Sequence, residues 1–296
     1  MAIGFCFLIK DSVNNLDLWA AFFEGIASSQ YRIYVHAKTP SPCAVPGGAV
    51  VDSDPLPTAW GELSLVMATQ RLFDQALEDG CTSMILLSGD MLPLWPFERI
   101  QDQCQSTRFS LQPTEGLTER QSSKNAERYA QMAPWLGLDR SQMMKQNMFF
   151  SISSADYQSL RGLSLSDCPL RQLADEYYWV NALTASGRTV RTDYFLYCNP
   201  DPTRTQACGL NLTPELLSEC RQRGYLFVRK VAQVESVSAS LLKEIYQQVG
   251  LSDQGGIAPE LVGDPIGIFE RLNGSFLIRR LAGDQLGKWL RLLRRK

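Results

Sequence analysis

The hydrophobic positions of residues 3–94 alternate between continuous apolar runs and helical spacings. Residues 3–9 form an unbroken apolar run, the pattern of a strand buried on both faces. Residues 17–27 carry Leu18, Phe22 and Ile26 at helical spacing. Ile33, Tyr34 and Val35 make residues 32–36 a strand, and residues 49–51 are a second, short one. Between them, residues 40–48 read as a loop by their Pro and Gly content. Residues 62–77 give the clearest helix, with Leu63, Val66, Leu72 and Ala76 on one side, and residues 84–87 the next buried strand. This alternation predicts an α/β fold, a doubly wound and mostly parallel sheet with flanking helices.

Beyond residue 100 the pattern loosens. Residues 108–132 turn polar, rich in Gln, Ser, Thr, Glu and Arg, and read as a long irregular segment of the functional-loop kind. Residues 149–152 and 225–228 read as strands; residues 154–160, with a Ser cap, 173–183 and 239–249 read as helices. From Arg279 to Lys296 seven basic residues face one acid, Asp284, while Leu286, Trp289, Leu290 and Leu293 share one helical face. Such a tail either lies on an anionic membrane or docks on the protein body with its charges solvated. The expected division is therefore one α/β domain over residues 1–278 and a basic amphipathic tail over 279–296.

Composition narrows the partners. A net charge of −2 makes no case for nucleic acid. No apolar run reaches the length that spans a bilayer, and the N-terminus lacks the basic region of a signal peptide. The eight cysteines lie ten or more residues apart, without a metal or redox spacing, and read as free, mostly buried thiols of a reducing compartment. With His36 the only histidine, a zinc site has no ligand set.

Four places carry candidate chemistry. Asp52-Ser53-Asp54 is the one literal Asp-x-Asp, but it follows a short strand in a Pro-rich loop, where Asx turn chemistry accounts for it more simply than a metal does. Ser88-Gly89-Asp90 ends the long buried strand, the place where open α/β sheets bind ligands. There Gly89 would let backbone approach a nucleotide and Asp90 meet a ribose or sugar hydroxyl; a plain turn reads equally from the same residues. Asp175-Glu176 opens a helix, and neighbours on a helix do not share a face, so one carboxylate enters a cleft while the other caps or meets water. Glu176 heads the stripe Trp179, Val180, Leu183, which would desolvate it as a general base; a capping role is the alternative. Arg229 and Lys230 end a strand and Arg204 lies in a loop upstream; they would grip a diphosphate in place of a metal, or else sit solvated.

Taken in order, Tyr34-Val35-His36, Thr58-x-Trp60-Gly61-x-x-Ser64-Leu65-Val66, Leu86-Leu87-Ser88-Gly89-Asp90-x-x-Pro93-Leu94, Asp175-Glu176-Tyr177-x-Trp179 and Leu226-Phe227-x-Arg229-Lys230 resemble the core-2/I-branching β-N-acetylglucosaminyltransferases and their relatives over residues 3–235. The resemblance implies a GT-A-like (Rossmann-like) fold and an inverting, metal-independent enzyme moving GlcNAc, xylose or a similar sugar from a UDP-sugar to a glycan or glycolipid hydroxyl, with no cofactor. It implies Glu176 as the base and Lys230 with Arg204 as the diphosphate cations, Arg229 beside them. It places Ser88, Gly89, Asp90 and His36 in the nucleotide site, His36 standing where the family has a uracil-contacting Asp. Lys124, Glu127, Arg128, Tyr194 and Trp179 would contact the acceptor. It fits a bacterial, cytoplasmic form whose basic tail meets the inner membrane. A metal-dependent transferase and a non-catalytic nucleotide-sugar-binding protein are the alternatives.

Overall fold

The computed structural model describes residues 2–39, 44–112, 117–198 and 209–248. The chain divides into two units, Met1–Ser252 and Asp253–Lys296, and every described residue belongs to the first. The boundary expected at residue 278, the basic tail and Arg204 lie outside the described residues.

In chain order the strands are β1 (Ala2–Ile9), β2 (Tyr31–Ala37), β3 (Val50–Val51), β4 (Cys81–Leu87), β5 (Leu92–Pro93), β6 (Arg108–Leu111), β7 (Gln146–Ser153), β8 (Arg191–Thr192), β9 (Leu196–Cys198), β10 (Leu210–Leu212), β11 (Phe227–Arg229) and β12 (Val231–Val234). The helices are α1 (Leu16–Phe23), α2 (Leu63–Glu78), α3 (Phe97–Gln103), α4 (Glu119–Leu136), α5 (Ser154–Ser159), α6 (Tyr178–Ala185), α7 (Pro214–Gln222) and α8 (Ser236–Tyr246). The main sheet runs β3-β2-β1-β4-β7-β6-β8. Only β7 is antiparallel to its neighbours, so the sheet is mostly parallel, as its apolar strands predict. Strand order reverses between β1 and β4, and a ligand crevice is expected at the carboxyl ends of strands there.

Alternation along β1 sorts the two helical layers. Phe5 meets Trp19, Phe22 and Phe23 of α1 and Phe97 of α3, and Phe22 in turn meets Tyr246 of α8. The neighbouring Gly4 faces the other way, against Ala76 of α2. On that second face Phe73, Phe150, Tyr157 and Trp179 pack ring to ring, joining α2, β7, α5 and α6. Two small sheets, β5-β11-β9 and β10-β12, lie beside the main one.

Two expected stretches are corrected. The described part of residues 108–132 is not irregular: β6 occupies the start, and α4 runs from Glu119 with a capping box. The Gln121 amide donates to Thr118 Oγ1 at 3.3 Å, and the Thr118 amide donates to Gln121 Oε1 at 2.9 Å. Residues 173–183 are not one helix. Leu173 adopts a left-handed backbone (φ 57°), Ala174–Glu176 form a 3-10 turn, and α6 begins only at Tyr178. The Leu173 amide donates to the Gly61 carbonyl, so the contact with the loop entering α2 imposes the break. Among the described residues six cysteines are free thiols, five buried and Cys198 half-buried. Among the described residues no helix is long and apolar enough to cross a membrane.

Candidate active site

The carboxyl end of β4 and the amino end of the reversed strand β7 meet, because Ser83 pairs with Ser153 and Ile85 with Ser151. Chain segments around residues 88–90 and 145–149 therefore share one end of the sheet. Strand β11 is brought to the same end by pairing antiparallel with β5, and the Val231 amide donates to the Asp90 carbonyl at 2.9 Å.

Arg229 is the hub of one half of the site. Its Nε donates to Ser88 Oγ and Asp90 Oδ1, each at 3.1 Å, while Ser88 Oγ donates to Asp90 Oδ1. The guanidinium lies over the Phe149 ring, 4.5 Å from its centre. Ser88 and Asp90 thus turn their polar atoms toward Arg229. Lys230 is half-buried, and its ammonium makes no ion pair among the described residues. Gly89 has a different role from the one expected. A Cβ there would overlap the Ser12 carbonyl, and its own carbonyl accepts from the Asn14 amide at 2.7 Å. Its missing side chain lets the backbone of Ser12 come close. Gly89→Ala is expected to cost about 3 kcal/mol of stability, read as a lower denaturant midpoint; an unchanged midpoint overturns this packing role.

The other half holds the two carboxylates. Because Ala174–Glu176 turn as a 3-10 segment, the helical stripe expected to bury Glu176 does not form; the deeply buried carboxylate is Asp175, 6% exposed. Burial, and next the charge of Glu176, push Asp175 up to about 7, with Arg229 pulling the other way. Its Oδ1 has no hydrogen-bond partner. Glu176 is half-buried and its Oε2 is ion-paired with Lys145 Nζ at 3.0 Å. Asp175 feels both Glu176 and Arg229, so the two halves of the site adjoin.

The model of the core-2/I-branching enzymes matches residues 3–158. The chain belongs to the core-2/I-branching enzyme family. Membership makes it a glycosyltransferase that takes a nucleotide sugar as donor and a glycan as acceptor. The match ends before Glu176 and does not reach Arg229 or Lys230. No curated protein matches the chain. Among solved structures it is similar to the galactosyltransferase LgtC in complex with donor and acceptor sugar analogues, at 11% identity over 86% of this chain and 98% of that one, with a TM-score of 0.39. An active-site mutant of LgtC is similar at 10% identity, over 85% and 98%, with the same score of 0.39.

The remaining expected residues of this glycosyltransferase divide by place. Arg128, on α4, lies over the Tyr177 ring at 5.7 Å, one residue from Glu176, whereas Lys124 and Glu127 on the same helix are exposed. The Tyr177 hydroxyl donates to Asn125 Oδ1 at 2.6 Å, which fixes α4 against the site. Burial raises that hydroxyl to about 12, so it stays a donor. Trp179 is corrected: at 1% exposure, packed on Phe73, Phe150 and Tyr157, it belongs to the core and presents no face to an acceptor. Tyr194 is also displaced. Its ring packs on Tyr225 at 5.0 Å, at the end of the small sheet away from Arg229. His36 is fully buried with neither ring nitrogen bonded, and desolvation lowers its pKa while Asp52 pulls it up. As folded, its ring offers no surface to a uracil. Asp52 Oδ1 accepts from the Asp54 amide at 3.0 Å and pairs with Arg71 at 3.0 Å, which is turn chemistry anchored to α2. Sequence reasoning passed over Lys145, because nothing in its local pattern distinguishes it; only the tertiary fold brings it to Glu176.

Proposed function

We propose that this branching enzyme moves a sugar, GlcNAc or xylose-like, from UDP to a hydroxyl of a glycan acceptor, with inversion and without a divalent metal. The observation that carries the reading is the meeting of the Glu176 carboxylate and the Arg229 guanidinium around buried Asp175 at one end of the sheet, with Lys230 next in the chain. Glu176 Oε1 has no partner among the described residues and is the acceptor for the hydroxyl proton. As that oxygen attacks the anomeric carbon from the face opposite UDP, the bond to the diphosphate oxygen breaks and its electron pair stays with UDP. Lys230, half-buried next to Arg229, is the cation for that developing charge by resemblance, as is its partner Arg204.

Metal-free transfer is supported by the charge balance at the end of β4. Ser88 stands where a second Asp would be, and Asp90 is already neutralised by Arg229 at 3.1 Å. The test is UDP release across a panel of UDP-sugars, with and without EDTA. Release that persists in EDTA with one preferred donor is the expected result. A strict Mn²⁺ requirement overturns the metal-free reading, and donor binding without release or transfer for any sugar overturns the enzymatic one.

A further inference from the structure

Lys145 precedes β7 and is the group that touches the proposed base. Its setting is unusually well built. Asn181, fully buried on α6, accepts from the Met144 amide at 2.8 Å through Oδ1. Through Nδ2 it donates to the Met144 carbonyl at 2.8 Å and to the Tyr177 carbonyl at 2.5 Å. Gln146, also fully buried, accepts from the Val180 amide at 2.7 Å through Oε1. The Lys145 carbonyl itself accepts from the Gln112 amide at 2.7 Å. Both neighbours of Lys145 are therefore fastened to the first turns of α6, the helix that follows Glu176. Two buried amides are a costly way to hold one lysine, since each must have its polar atoms satisfied.

The ammonium reaches two places from this anchor. It pairs with Glu176 Oε2 at 3.0 Å and lies 5.7 Å from the centre of the Tyr177 ring. Its side chain is 16% exposed and that of Glu176 23% exposed, so water screens the pair only in part. Asp175 and Tyr177 on the same turn, Arg128 and Tyr129 on α4 and Arg229 on β11 are the other charged or titratable groups around it.

We propose that Lys145 is a positioning residue for proton transfer, holding Oε2 of Glu176 so that Oε1 is left aimed at the acceptor hydroxyl. When Oε1 takes the proton, the carboxyl becomes neutral and Lys145 loses its counter-charge. The Tyr177 ring face then retains the ammonium, so no cation is stranded in a partly dry site. The proposal rests on Glu176 being the base.

The test compares Lys145→Met, Lys145→Arg and Glu176→Gln under saturating and limiting donor and acceptor. Lys145→Met is expected to lower kcat about 30-fold with both KM values nearly unchanged, because an orientation used only in the reaction is lost. Lys145→Arg, which still places a cation on Oε2, is expected to recover most of kcat. A raised acceptor KM with kcat kept, or a Lys145→Arg no better than Lys145→Met, overturns the proposal. If Lys145→Met does not fold, Lys145→Gln takes its place beside Lys145→Arg with the same two criteria. Glu176→Gln separates the failures. If it keeps normal turnover, the base assignment and this proposal fall together; if it is inactive while Lys145→Met turns over normally, only this proposal falls.

Discussion

Glu176→Gln is expected to lower turnover about 10³-fold and to leave nucleotide-sugar binding intact, the scale on which a positioned general base acts. The amide keeps the shape of the side chain and can still offer an oxygen to Lys145, so the fold around the 3-10 turn is retained. What disappears is the oxygen proposed to take the acceptor proton. The measurement is single-turnover transfer beside calorimetric titration with the donor. Near-normal transfer sinks the assignment of the base. Equal loss of donor affinity would mean that the carboxylate belongs to the donor site instead.

The second large effect belongs to the neighbouring carboxylate and is read in stability. Asp175 is raised to about 7 in the folded chain by burial, whereas an unfolded Asp titrates near 3.9. A folded-state value above the unfolded one means that the native state holds the proton more tightly. Below pH ~4 both states are protonated and this group costs nothing. As pH rises from ~4 to ~7 the unfolded chain ionises while the native one does not, and stability is lost across that window. Above it the full penalty stands, up to about 4 kcal/mol from a difference of roughly three pH units. Asp175→Asn removes the titration. Its stability advantage over the natural chain is therefore expected to be small at pH 5 and largest at pH 8, with a melting temperature higher by several degrees at the latter. Equal differences at both pH values would show that Asp175 ionises freely in the fold. The burial of this carboxylate, with Oδ1 unpartnered, is stability given up beside the reacting groups.

Strands β1, β2, β4 and β7 were legible because both of their faces are buried, so that composition alone marks them. Helix α4 was not, since its first thirteen residues are mostly polar and its inward face is narrow. Its ends were nevertheless written in the chain, in Thr118 with Gln121 and in Gly137 at φ 68°. Thr213 and Pro214 gave the same kind of signal for α7. Caps would have found both helices where periodicity did not. The break before α6 is a different case. A Leu with positive φ has no local preference for that backbone, and only the contact with Gly61 explains it. That break decides which of two adjacent carboxylates is buried, so the helical-stripe argument chose its face wrongly while naming the right pair. Trp179 failed for a related reason: a motif residue can be there to pack.

The reversed direction of β7 has a consequence for how the site comes into being during folding. The groups around Glu176 come from residues 88–90, 145–149, 175–177 and 229–230. No two of these segments are close in sequence, and β7 reaches β4 only after some sixty residues of intervening chain. Each closure is an entropic cost that local structure cannot offset beforehand. Partly folded forms are therefore expected to hold neither the ion pair of Glu176 nor the Arg229 cluster, and refolding chains to recover activity only as the non-local strand pairings close.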